Sequence, residues 1–189
     1  MELSPSAHED TFTRDSLPPA DLWPTMEFTL PELQFPDRLN AGSWLLDETV
    51  ARLGADRPAL RTPQGAVWTY GDVLRTANQV AQVLTEDLAL VPGQRVLLRS
   101  PNNPWVVACW FGVLKAGGVV VTTMAALRAM EITPLVSAAR PVVAITDHRY
   151  AADLLEVRDA SAPDLVVLEF GGDGEADLVA RCAAKSGEF

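Results

Sequence analysis

The chain has 189 residues, 48% of them apolar and 21% charged, which is enough for one domain with a sizeable core and too apolar for a disordered chain. A formal net charge of −10, with no basic block anywhere, argues against binding to nucleic acid or to an anionic membrane, because both rely on clustered Lys and Arg. Cys109 and Cys182 have neither metal-ligand spacing nor a catalytic context, and Cys109, inside an apolar run, reads as a small core residue.

Met1 to Ala20 carries acids and prolines where a secretory leader needs a basic start and an apolar centre, so a reducing cytoplasm is the expected location. Pro18, Pro19, Pro24, Pro31 and Pro36 prevent any long helix. Leu22, Trp23, Met26, Phe28, Leu30, Leu33 and Phe35 are nonetheless too apolar for a free tail. Residues 1–38 are therefore expected to form an extended, proline-rich arm that packs on a larger body spanning residues 39–189.

Trp44, Leu45, Val50 and Leu53 fit a helical stripe that Gly54 can end. Ala59 to Thr62 and Ala66 to Thr69 read as a small hairpin around Pro63-Gln64-Gly65. Thr69 and Asp72 then have capping-box spacing. The helix they open places Val73, Leu74, Ala77, Val80, Ala81 and Leu84 on one face and Arg75, Thr76, Asn78, Gln79 and Gln82 on the other.

After a Pro92-Gly93 turn, Arg95 to Thr123 reads as one βαβ unit: a buried strand, a Pro/Asn turn, a helix apolar on nearly every side, a glycine stop and a second buried strand. Asn103 supplies a cap oxygen and Pro104 suits the first helical turn, while Lys115 and Gly117 mark the end. This helix has to be covered, and its run is about half the roughly 20 residues needed to span a bilayer. Alternation continues with a helix near Ala129 to Ala139, a strand Val142 to Thr146, a helix near Ala151 to Ala160, a strand Leu165 to Phe170 and a helix Ala176 to Ala184. The expected fold is α/β, a doubly wound, mostly parallel sheet with right-handed crossovers and a small N-terminal hairpin. Pro134 is expected to kink or split the helix that contains it.

Ligands of such sheets bind beyond the carboxyl ends of the strands. Gly171-Gly172-Asp173-Gly174 follows a strand there but lacks the third glycine of a dinucleotide fingerprint, and its acids would repel a pyrophosphate, so it reads as a surface loop. Ala116-Gly117-Gly118 precedes a strand and reads as a cap. Thr122 and Thr123 could meet a ligand at a strand end, although β-branched residues suit strands on their own account. His148 has no evident partner and reads as structural, whereas Arg149 is the better anion contact, to be weighed against an ordinary solvated arginine. Composition and spacing alone thus yield a fold class and no active site.

Several stretches together resemble the N-terminal part of the adenylate-forming acyl- and aryl-CoA synthetases. Trp68-Thr69-Tyr70-Gly71-Asp72-Val73 resembles the early Leu-Thr-Tyr-x-Glu-Leu motif, Ala77-Asn78-Gln79-Val80-Ala81 the Ala-Asn-x-x-Ala, and Pro92-Gly93-Gln94-Arg95-Val96 the Pro-Gly-Asp-Arg-Val. Pro101-Asn102-Asn103-Pro104 and Gly112-Val113-Leu114-Lys115-Ala116-Gly117 complete the set in order. The resemblance implies a parent ligase that uses ATP and Mg²⁺ to turn a small carboxylic acid into acyl-AMP and then, with CoA, into a thioester.

Nothing here resembles that family's Ser/Thr/Gly-rich phosphate loop ending in Pro-Lys, its ribose-binding acid or its catalytic lysine. The chain accordingly reads as the incomplete front part of a larger adenylation domain, inactive alone, with no catalytic residue and no metal site of its own. The stretch Val121-Thr122-Thr123-Met124-Ala125-Ala126-Leu127-Arg128-Ala129-Met130-Glu131-Ile132 is similar to the benzoate and 2-aminobenzoate ligase branch, which implies an aromatic acid. The resemblance also implies that Arg149, just after a strand, contacts a CoA phosphate. A second reading is a non-catalytic α/β module that binds a partner or its own copy through open sheet edges.

Overall fold

The computed structural model describes residues 5–189. After a one-turn helix α1 (Phe12–Asp15), an extended segment leads to α2 (Ala41–Leu53), capped by the Asn40 side chain. The strands β1 (Pro58–Arg61) and β2 (Val67–Thr69) pair antiparallel as the expected hairpin. Thr69 and Asp72 then close the capping box that starts α3 (Tyr70–Gln82).

The remainder alternates as the pattern requires: β3 (Arg95–Arg99), α4 (Pro104–Lys115), β4 (Val119–Thr123), α5 (Ala129–Ala139), β5 (Val143–Asp147), α6 (Ala151–Ser161), β6 (Val166–Phe170) and α7 (Leu178–Ala183). The four long strands form one parallel sheet in the order β4-β3-β5-β6. Helices cover both faces, because side chains alternate across the pleat. Val96, Leu98, Val143 and Ile145 point to one core with α3, α4 and α7, while Leu97 and Ala144 point to a second with α5 and α6. Close contact of α3 with α4 depends on Gly112, where an added Cβ would lie 2.7 Å from Val80 and 2.8 Å from the Ala77 carbonyl.

Four expectations are corrected. β4 is an edge strand and only half-buried, because the chain turns back after it and places β5 on the far side of β3. The α4 helix is fully buried along Ala108, Cys109, Gly112, Val113 and Lys115, with Trp105, Val106, Val107, Trp110 and Phe111 half-exposed. Of the kink or split expected at Pro134, the split is ruled out, because α5 runs through it: Pro134 sits on the solvent side, and the carbonyl it leaves unbonded belongs to Met130, itself exposed to water. Leu22, Met26, Phe28, Leu30, Leu33 and Phe35 are exposed, so most of the arm's apolar side chains stay in solvent, although Phe35 meets Trp44 of α2 edge-on with ring centroids 6.2 Å apart.

The start of the arm does dock. The Glu9 and Asp10 amides donate to the Pro92 carbonyl, the Asp10 carboxylate accepts from Arg95 at 2.6 Å, and the Phe12 ring lies under the guanidinium groups of Arg95 and Arg140. Among the described residues no helix is long and apolar enough to cross a membrane.

Candidate functional site

In the order β4-β3-β5-β6 the direction of strand addition reverses between β3 and β5, and the crevice outside the carboxyl ends of strands at such a reversal is the usual ligand position. A hollow of about 330 Å³ opens there. Asn103 and Trp105 reach it from the turn into α4, Asp147, His148 and Arg149 from the end of β5, and Phe170 and Gly171 from the end of β6. Each wall has a local cause. Asn103 is held as the α4 cap, its side chain accepting from the Val106 amide at 2.9 Å. Trp105 is fixed by stacking on Phe170, ring centroids 6.3 Å apart, and by an edge-on contact with Trp68 of the hairpin at 6.0 Å.

The charge in the hollow is concentrated in one pair. The Asp147 side chain, 5% exposed, accepts from Arg149 Nε at 2.9 Å and from Nη2 at 2.7 Å, and also from the Arg149 amide at 3.1 Å. This pair holds the Asp147 carboxyl below the usual carboxylate range despite burial, and it pushes Arg149 further up. The Arg149 side chain remains 59% exposed, and no hydrogen bond engages its Nη1 among the described residues. His148 is exposed beside Gly171 and Gly172.

Behind this wall lies a cation that sequence reasoning passed over. Arg99, at the carboxyl end of β3, has a side chain 1% exposed and donates to the carbonyls of Ala125 at 2.8 Å, Leu127 at 2.5 Å and Tyr150. It therefore ties the loop after β4 to the turn after β5, with Asp153 at 3.8 Å adding opposite charge. The available signal was an arginine directly after the apolar run Val96-Leu97-Leu98, at the carboxyl end of the strand. Asp147 was missed in a similar way, although an acid two residues before an arginine in a tight turn is the spacing for such a pair.

The remaining candidates contribute less. Thr122 is exposed, and Thr123 Oγ1 is buried without a partner among the described residues. The Gly172 amide is spent on Asp177 at 2.8 Å, so the loop from Gly171 is no ready anion cradle. Burial pushes the Cys109 thiol far up and that of Cys182 up to about 12, so both are inert core residues. No group of three or more His, Cys, Asp or Glu residues among those described could hold a metal. A larger hollow of about 880 Å³ opens at the amino end of β4, but its buried cation, Lys115, is already paired with Asp47 at 2.5 Å.

Three comparisons bear on this arrangement. The AMP-binding enzyme family matches residues 46–187. The long-chain-fatty-acid–CoA ligase of Escherichia coli O157:H7 is 29% identical over 138 residues, which cover 73% of this chain and 24% of that ligase. Among solved structures, apo MatB from Rhodopseudomonas palustris superposes with a TM-score of 0.68 at 23% identity over 79% of this chain and 29% of that one. The anthranilate CoA ligase AuaEII in complex with anthranoyl-AMP superposes with a TM-score of 0.74 at 23% identity over 82% and 30%. These likenesses are of fold. The chain spans about a quarter of the length of the curated ligase it matches.

Proposed function

Because the chain belongs to the AMP-binding enzyme family, we propose that it supplies the front of an ATP-dependent carboxylate–CoA ligase. The family match across residues 46–187 is the observation that carries the reading. In the first step the acid's carboxylate oxygen attacks the α-phosphorus of ATP, pyrophosphate leaves, and acyl-AMP forms. In the second the CoA sulfur attacks the acyl carbon and AMP leaves. Mg²⁺ bound with ATP would neutralise phosphate charge in the first step. The described residues form no cluster suited to that ion, so no part of the step is assigned to them.

What this chain contributes is a scaffold and one phosphate contact. Arg149, exposed on the wall of the hollow at the strand reversal, is the residue we assign to a CoA phosphate, and its exposure and charge support the assignment. The 189-residue chain by itself is expected to adenylate nothing, since no stretch of it resembles the family's phosphate loop ending in Pro-Lys, its ribose-binding acid or its catalytic lysine. An aromatic acid such as benzoate or 2-aminobenzoate is the proposed substrate class, on the strength of the stretch Val121 to Ile132 following the Lys-Ala-Gly turn. The ligase reading implies a cytoplasmic enzyme, where ATP and CoA are supplied.

A chimaera in which residues 46–187 replace the corresponding part of the anthranilate CoA ligase AuaEII tests both levels. It should catalyse 2-aminobenzoate-dependent exchange of pyrophosphate into ATP, with a KM for the acid within roughly tenfold of the host's. A folded chimaera without exchange would overturn the ligase reading. Exchange with a far higher KM would overturn only the aromatic assignment. A second reading, self-association through bare surface, is favoured by the exposed apolar side chains of the arm and by the half-buried edge strand β4.

A further inference from the structure

The Arg149 guanidinium does not face the hollow unopposed. Its Nε and Nη2 edge, the one that best grips two oxygens of a phosphate, is occupied by Asp147, whose carboxylate is fixed by burial and by the Arg149 amide. Among the described residues no other acid lines that hollow. An incoming phosphate must therefore either displace Asp147 or settle for the opposite edge while facing a negative charge already at ion-pair distance. Geometry and charge can be separated here. An asparagine at this position keeps an oxygen to accept from the Arg149 amide and to cap the turn His148–Tyr150, and loses the charge together with the acceptor that faces Arg149 Nη2.

We propose that Asp147 is a positioning residue that attenuates phosphate binding at Arg149, holding the guanidinium in place while competing for it. This rests on the reading of Arg149 as a phosphate contact and concerns the strength of that contact.

The test is calorimetric titration of the 189-residue chain with CoA and, separately, with ATP·Mg²⁺, for the wild type, Asp147→Asn, Asp147→Ser and Arg149→Met, and for Asp147→Asn combined with Arg149→Met. Serine keeps a capping hydroxyl without charge, so it stands in should the asparagine variant melt early. The expected result is CoA binding roughly tenfold tighter in either Asp147 variant, the scale of one removed charge at a partly exposed site, with the gain shrinking in high salt. Arg149→Met should abolish that gain. Equal or weaker CoA binding in the Asp147 variants, while Arg149→Met weakens the wild type, would overturn attenuation and leave the CoA contact standing. A gain with ATP·Mg²⁺ but not CoA would keep attenuation and overturn the CoA assignment. Insensitivity of both ligands to Arg149→Met would overturn both.

Discussion

Asp10 shows what one side chain can do for a segment outside the family-matched residues. Its carboxylate meets Arg95 at 2.6 Å, and that cation, 7% exposed, also donates to the carbonyls of Ala139 and Arg140 at 3.0 Å each. The fit is tight: Gly93 has a φ of 93°, and an added Cβ would lie 2.2 Å from the Asp10 carbonyl. Arg95 holds the Asp10 carboxyl below its usual range, against a smaller opposing effect of burial. A depressed folded-state pKa means stability that is present above the unfolded value, near 3.9, and is lost as pH falls through the folded one. Asp10→Asn should therefore cost about 1 kcal/mol in urea denaturation at pH 7 and almost nothing near pH 2. Equal losses at both pH values would show that the contact is packing rather than charge.

At the level of elements, what was legible in the sequence was whatever has a local cause. The α4 boundaries could be read from Asn103, Pro104 and Gly117, and the α3 start from Thr69 and Asp72, because a cap involves residues three or four apart. Strand order was not legible, since nothing in Val119 to Thr123 says which neighbour it lacks, and a buried edge looks like a buried centre. Long-range polar pairs were equally hidden. Lys115 reads as a cation suited to the α4 dipole, yet its side chain is 1% exposed and paired with Asp47 of α2, while Asn40 donates to the Leu114 and Lys115 carbonyls. These contacts seat α2 on the end of α4, so the two halves of the pair should respond unequally to mutation. Asp47→Asn strands a buried ammonium and should cost about 2 to 3 kcal/mol, below the roughly 3 to 5 of a fully buried pair because Asp47 is 37% exposed. Lys115→Met leaves only a half-exposed carboxylate and should cost about 1 kcal/mol. Denaturant midpoints of the two variants check the order, and a cheaper Asp47→Asn would mean that Lys115 reaches water.

At the level of the whole molecule, apolar surface and net charge oppose one another. Leu22 is 69% exposed, Phe28 54% and Leu30 59%, and Trp44 and Leu45 of α2 continue the same bare surface. The sheet adds an unpaired edge at β4, where Val119, Val120 and Val121 are half-buried. Such surface favours association, and in a chain of mixed charge added salt would weaken any contact made by ion pairs. Here the formal charge is −10, so two copies repel, and screening removes the repulsion while leaving the apolar attraction intact. Sedimentation velocity at about 100 µM should accordingly show association that grows between low and high sodium chloride. The arm can be separated from the edge by replacing Leu22, Met26, Phe28 and Leu30 together with serine, changes at exposed positions that leave the core untouched. If the arm drives association, this variant stays monomeric in high salt. If the β4 edge drives it, the variant associates as the wild type does, and a lysine at Thr122, which is exposed on that strand, should suppress it instead. A wild-type chain that remains monomeric at every salt concentration would end the self-association reading and leave the ligase scaffold as the sole account of this surface.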